Sequence, residues 1–395
     1  MLNAQRRNEV NELCRALIRE PSYSGQEGDV ARVLGSFMRA RGYDEVTVDR
    51  YGSIVGCIHG KRPGPVVLMD GHIDTVPVPD PTAWTHAPFG GELADGRIYG
   101  RGASDMKGAV AAMACAAANL AQDTNRDFAG TLCVAGVVHE ECFEGIAARE
   151  ISANFRPDVV IIGEASELNL KIGQRGRAEI VLETFGVPAH SANPDKGVNA
   201  VHLMRALLAE TEAVTAPEHP VLGRGVAVLT DIISTPYPGA SVVPSHCRVT
   251  YDRRLLTGEK HDTVLAPYLD AVRRLEASVP SFKGRAGYAR GTEACHTGAT
   301  IEGERFFPGW LFDENEDFVQ RALAALRYVG LAPAISHYSF CTNGSHYAGE
   351  AGIRTLGFGP SRENLAHTID EYIEESQLHA ATAGYAAICN ALFEG

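Results

Sequence analysis

Three short stretches of the chain are apolar along nearly their whole length, and each runs straight into a histidine or a carboxylate. Val66-Val-Leu-Met69 leads into Asp70-Gly-His72-Ile-Asp74, residues 131–138 end in His139-Glu140-Glu141, and residues 158–162 end in Gly163-Glu164. A strand apolar on both faces has to be covered on both faces, as in a parallel sheet flanked by helices. Segments with helical spacing separate these stretches: 5–19, closed by Arg19-Glu20-Pro21; 26–41, stopped by Gly42; the Ala-rich 107–122; and 144–155. This alternation predicts an α/β fold, a mostly parallel sheet with helices on both faces. The pattern changes near Gly173. Residues 178–185 alternate like a strand exposed on one face, followed by helix 198–213, strands 225–234 and 247–255, helix 262–278 and a closing strand over 282–289. That βαββα order predicts a small α+β domain inserted into the larger one. After a loop-rich stretch, 291–310, the chain returns to helix (314–329), strand (355–358) and a last helix (369–392).

Two domains also suit the length of 395 residues. Against 36 basic residues stand 49 acidic ones, a net charge of −13. This speaks against non-specific binding to nucleic acid or to anionic membranes, both of which need a basic face. No apolar run reaches the roughly 18–20 residues of a membrane span, and residues 1–20 carry no apolar signal core. Nine cysteines, none in a Cys-x-x-Cys pair, read as buried thiols in a reducing cytoplasm. Gly56-Cys-Ile-His-Gly60-Lys61 is one residue short of a P-loop. Ser104-Asp-Met-Lys107 lacks the partner motifs of a serine acyl-enzyme.

Five segments place histidine or carboxylate beyond a predicted strand or turn: Asp70-Gly-His72-Ile-Asp74, Gly100-Arg-Gly-Ala-Ser-Asp105-Met-Lys-Gly108, His139-Glu140-Glu141, Gly163-Glu164, and Glu363-Asn-Leu-Ala-His367 after strand 355–358. Sites in open parallel sheets form outside the carboxyl ends of the strands, so these groups converge. Two histidines with several carboxylates suit a divalent cation of the zinc type. His72 and Asp74, two apart on an extended chain, face the same way, so Asp74 can accept the second imidazole N–H.

On these motifs the chain resembles the family of di-zinc hydrolases that contains acetylornithine deacetylase, succinyl-diaminopimelate desuccinylase and the aminoacylases and carboxypeptidases. The likeness runs over essentially the whole chain. Gly173-Gln-Arg-Gly-Arg177, Tyr251-Asp-Arg-Arg254, Cys341-Thr-Asn-Gly344 and Gly357-Phe-Gly-Pro360 are most similar to the YgeY-type hydrolases. The resemblance implies two Zn²⁺ per chain, with Co²⁺ or Mn²⁺ as alternatives because His/carboxylate sites select metals loosely. Asp105 would bridge the ions, His72 and Glu164 would complete one, and Glu141 and His367 the other. Glu140 would be the general base and Asp74 the partner of His72. It also implies a catalytic domain over 1–175 and 294–395, and an inserted lid and dimerisation domain over 176–293. His190 of that lid would hold the oxyanion, reaching into the partner of a homodimer. Arg175, Arg253, Asn343 and Gly344 would meet the substrate. The implied activity is hydrolysis of the amide of a small N-acyl or N-carbamoyl amino acid that carries a free carboxylate. A metal-dependent exopeptidase is the rival within enzymes, and a non-catalytic binding protein on the same fold the rival outside them. Two places depart from the family: Ser241 stands where many members have Asn, and Thr342-Asn-Gly-Ser345 lacks an acidic residue. Both leave the acyl group and side chain open.

Overall fold

The structure, a computed structural model, describes residues 2–394; Met1 and Gly395, the ends of the expected catalytic domain, lie outside them. The fold is mixed α/β and divides into two compact units. One comprises the chain up to Gln174 together with Thr292–Glu302 and the part from Leu311 onward; the other comprises Arg175–Gly291 and Gly303–Trp310.

The central sheet of the first unit runs in the order Glu45–Val48, Ile54–His59, Ala129–Val137, Arg62–His72, Val159–Ile162, Arg354–Gly357, Leu170–Gln174, with Ile335–Tyr338 beside the last of these. Its middle is parallel: Arg62–His72 pairs in parallel with both Ala129–Val137 and Val159–Ile162, and the latter with Arg354–Gly357. The chain leaves Arg62–His72 for one neighbour through helix Gly108–Asp123, then reaches the other neighbour through helix Ile146–Phe155. Arg62–His72 is therefore the point where the winding switches sides, and the carboxyl ends of four adjacent strands open onto one place. Val67, Leu68, Met69, Val160 and Ile161 are all fully buried, so these strands are covered on both faces. The Ala-rich sequence of Gly108–Asp123 explains why that helix is buried almost all round: small side chains let it pack closely between helices Ala4–Arg19 and Glu375–Phe393.

The second unit is an antiparallel sheet in the order Val226–Thr235, His246–Leu255, Gly176–Phe185, Gly284–Tyr288, with helices Ala200–Thr211 and His261–Ser278. Its core gathers Ile180, Leu182, Leu207, Val249 and Tyr268. The segment Gly303–Trp310, expected with the catalytic domain, clusters here because Phe306 and Phe307 pair with Ala178 and Arg177.

Three details differ from the sequence reading. The stretch 291–310 holds the paired strands Arg290–Ala294 and Thr300–Glu304. The last helix begins at Glu375, after a short strand Tyr372–Glu374. Cys57 and Cys133 are joined as a disulfide, while the other seven cysteines are thiols. The two cysteines stand opposite one another in the antiparallel register of their strands, a relation that hydropathy alone does not reveal. Disulfides persist mainly in oxidising compartments, so the cysteines no longer support a cytoplasmic location. Among the described residues no helix is long and apolar enough to cross a membrane.

Candidate metal centre

Strand Arg62–His72 ends on His72, which is 1% exposed. Its Nδ1 donates to the main-chain oxygen of Asp74 at 2.9 Å, which turns Nε2 toward two carboxylates, Asp105 Oδ1 at 2.9 Å and Glu164 Oε1 at 3.5 Å. Glu164 lies two residues beyond strand Val159–Ile162, its main-chain oxygen accepting from the Tyr338 hydroxyl at 3.0 Å. A β-carbon on Gly359 would stand 2.2 Å from the oxygen of Gly163, so glycine is needed for that close approach. On the other side of Asp105, Oδ2 lies 3.1 Å from His367 Nε2, which is itself 3.1 and 3.2 Å from the oxygens of Glu141. His72, Asp105 and Glu164 thus form one group of donor atoms, and Asp105, Glu141 and His367 a second, with Asp105 common to both.

Asp105 projects from a turn that needs glycine at 102, where φ is +85° and a β-carbon would meet Thr75. Buried Lys107, its ammonium pushed down to about 7 by burial, donates to the oxygen of Glu20 at 2.8 Å. The segment that follows brackets Asp74: Ser22 O accepts from Thr75 N, and Ser24 Oγ donates to Asp74 Oδ2 at 2.7 Å.

The Asp74 carboxylate stands beside His72, but its hydrogen bonds go to other groups. Oδ1 stands 3.6 Å from His72 Nδ1, whereas Oδ1 and Oδ2 accept the main-chain N–H of Glu140 at 3.1 Å and of Glu141 at 3.2 Å. His72 is oriented by the main-chain carbonyl of residue 74, and the side chain orients the segment that carries Glu140 and Glu141. Glu140 is 7% exposed, and its Oε1 is buried without a hydrogen-bond partner.

Five carboxylates (Asp74, Asp105, Glu140, Glu141, Glu164) crowd around two imidazoles. Burial pushes Glu140 well above the usual carboxylate range; burial and the neighbouring Asp105 push Glu164 up to about 8 and raise Glu141 as well. His367, beside Asp105 and Glu141, is pushed up to about 10. A surplus of buried negative charge with imidazole and carboxylate donors fits divalent cations, which supply the missing positive charge. The residues therefore fit two ions sharing Asp105.

The remaining expected residues have the following surroundings. Asn343 is 2% exposed; its amide nitrogen donates to Asp70 at 3.0 Å and its oxygen accepts from Gly145 N at 2.9 Å, while Gly344 N donates to Thr342 Oγ1 at 3.0 Å. These bonds tie the Asn343 side chain and the Gly344 amide to the sheet ends. Arg253 is 3% exposed and donates to Glu259 Oε1 at 2.8 Å. The strand alternation that turns Arg254 outward turns Arg253 into the core of the second unit, beside Tyr268, where its charge is already matched. Arg175 donates to the oxygen of Leu222 at 2.8 Å. His190 is exposed on the second unit, its Nδ1 accepting from Ala192 N at 3.0 Å. One residue escaped the sequence reading: Glu371, fully buried, accepts the main-chain N–H of Ser104 and Asp105.

The profile of peptidase family M20/M25/M40 matches residues 68–391, a span that takes in every residue of the cluster except those of the N-terminal bracket. The chain belongs to this family. It is a hydrolase of the M20 metal-dependent kind, the class to which the donor groups already point. It is 33% identical over 388 residues to the Escherichia coli (strain K12) protein YgeY, covering 96% of this chain and 93% of that one. It is 31% identical over 395 residues to a succinyl-diaminopimelate desuccinylase of Cereibacter sphaeroides, covering 95% and 97%. Among solved structures, the Bacillus subtilis protein YxeP, described as a dinuclear metal-binding peptidase of the M20 family, shares the fold of this M20 chain with a TM-score of 0.73 at 14% identity, covering 99% of both chains.

Proposed function

We propose that this M20-family protein hydrolyses the amide bond of a small N-acyl or N-carbamoyl amino acid, using two divalent cations of the zinc type and Glu140 as general base. The observation that carries the reading is the pair of donor groups sharing Asp105, with Glu140 buried beside them and its Oε1 without a hydrogen-bond partner. When bound, the cations polarise the scissile carbonyl and make the attacking water more acidic. Glu140 accepts the water's proton and passes it to the leaving nitrogen; the burial that raises its proton affinity suits a group that must take up a proton and then give it away. Asp74 fixes the main chain of the base through the amide of residue 140. A hydrogen bond to His190 Nδ1 makes Nε2 the N–H of the neutral ring, which supports His190 as a donor to the tetrahedral oxyanion. A homodimer is supported by the edge strand Val226–Thr235, where Val228, Leu229, Ile232 and Ile233 are exposed.

An N-acyl substrate with a free carboxylate is favoured by the likeness to a desuccinylase over almost the whole chain. A small-peptide exopeptidase is the second reading, favoured by the shared fold with a dinuclear metal-binding peptidase. The deciding experiment is a screen of N-acyl amino acids, N-carbamoyl amino acids and dipeptides read by amine release, with Glu140→Gln as the blank. Release from acyl or carbamoyl compounds, lost in the blank, is the expected result. Release from dipeptides alone would move the assignment to a peptidase, and equal release by wild type and Glu140→Gln would remove the proposed base.

A further inference from the structure

The loop that carries His367 also carries Glu371, and the hydrolytic scheme gives this residue no part. Glu371 is fully buried. Its Oε1 accepts two consecutive main-chain N–H groups, Ser104 at 2.8 Å and Asp105 at 3.0 Å, and its Oε2 accepts from Arg101 Nη1 at 2.6 Å. Asp105 has an extended backbone, φ −127° and ψ 90°, inside an otherwise tight turn. A residue in that conformation is outside any helical hydrogen-bond ladder, so Glu371 supplies the acceptor its N–H needs.

The position of Glu371 is itself fixed by main-chain pairing. Strand Tyr372–Glu374 runs antiparallel to Arg97–Tyr99, and Gly100 N donates to the oxygen of Glu371 at 2.8 Å. Just before it, the Asp370 carboxylate accepts from Thr85 N and His86 N at 2.8 and 3.1 Å. The ribbon therefore sets the loop of His367 in register with the loop of Asp105, and the Glu371 side chain closes the remaining gap. Burying a carboxylate with a guanidinium that is only 4% exposed gives up hydration that an apolar pair would not. What an anion adds is two strong, charge-assisted acceptors for adjacent amides. Those amides lead into the carboxylate that both donor groups share.

We propose that Glu371 is a positioning residue for the cation pair. It holds the main chain of Asp105 from the same loop that presents His367, so that the donors of both groups are spaced before an ion arrives. The proposal rests on the two-cation reading above. The test uses full-length wild type, Glu371→Gln, and the paired variant Glu371→Gln/Arg101→Met. The pair removes both buried charges together and so stays folded even if the single variant, which leaves Arg101 unmatched, does not. Each is stripped with a chelator and titrated with Zn²⁺ against a chromophoric competitor, with thermal melting of the metal-free proteins alongside. The expected result is two ions on wild type, affinity weakened roughly 10- to 100-fold in the variants, as is usual when a group behind a ligand is lost, and turnover recovering to within a few-fold at saturating Zn²⁺. A residue that only stabilises the fold would lower the metal-free melting temperature and leave Zn²⁺ affinity untouched. That pattern in either folded variant would overturn the proposal. Wild type taking up fewer than two ions would overturn the two-cation reading, and the role of Glu371 with it.

Discussion

Asp74 accepts the main-chain N–H of Glu140 through Oδ1 at 3.1 Å. The same carboxylate accepts from Glu141 N and from Ser24 Oγ through its other oxygen, so three donors converge on one buried anion. One side chain therefore holds the main chain of both Glu140, the proposed base, and Glu141, a candidate metal donor, while the His72 ring N–H goes to a main-chain carbonyl.

Asp74→Asn retains one acceptor oxygen and turns an amide N–H₂ toward a backbone N–H. We expect kcat to fall by roughly 10- to 100-fold, the usual weight of such a contact, with KM within a few-fold of wild type at saturating metal. Steady-state kinetics with metal analysis checks this. Full kcat recovery at high metal would return Asp74 to the service of His72 alone.

Arg253 is matched by Glu259 inside the second unit, with side-chain exposures of 3% and 14%. Arg253→Ala removes a buried guanidinium and leaves the partly buried Glu259 carboxylate, which keeps only the Leu256 N–H, without its counter-charge, so urea denaturation should show a loss of about 2–4 kcal/mol. KM for any substrate turned over should change less than three-fold, about 0.6 kcal/mol. A large KM increase without loss of stability would restore the carboxylate clamp.

Glu350 is raised by burial but lowered more strongly by His346 and by Arg149, and ends at about 2. Its folded value lies below the unfolded one, so its stabilisation is present above roughly pH 4.5 and is lost as pH falls toward 2. The stability gap between wild type and Glu350→Gln should be about 1–3 kcal/mol at pH 6 and shrink steadily between pH 5 and 2. Denaturant midpoints across that range check it; a gap independent of pH would mean the carboxylate is not held by charge.

Thiol titration of the unreduced protein in denaturant should count seven thiols per chain, since Cys57 and Cys133 are bonded to each other. A count of nine would contradict the bond.

What the sequence made legible were groups whose position follows from a strand end. His72, Glu141, Glu164 and His367 each lie at or beyond an apolar run that pairs in the central sheet, and a parallel sheet leaves little choice about where such ends meet. Direction was harder to read than place. The two-residue spacing of His72 and Asp74 predicts side chains on one face, but not that the Asp74 main chain reaches the ring first. Alternation sets Arg253 and Arg254 on opposite faces of their strand, but which surroundings Arg253 meets depends on helix His261–Ser278 packing behind it. Glu371 was hidden because 369–392 reads as one helix, where a lone glutamate belongs to a solvated face; its partners Arg101, Ser104 and Asp105 lie more than 260 residues away in sequence.

If Asp105 is shared by two cations, turnover must follow metal stoichiometry up to two ions per chain. Chelator-stripped protein is given Zn²⁺ in steps, and bound metal and amine release are measured at each step. Activity should rise until two ions are bound per chain, and Asp105→Asn should weaken both. Full activity with one tightly bound ion, unchanged by a second, would contradict it.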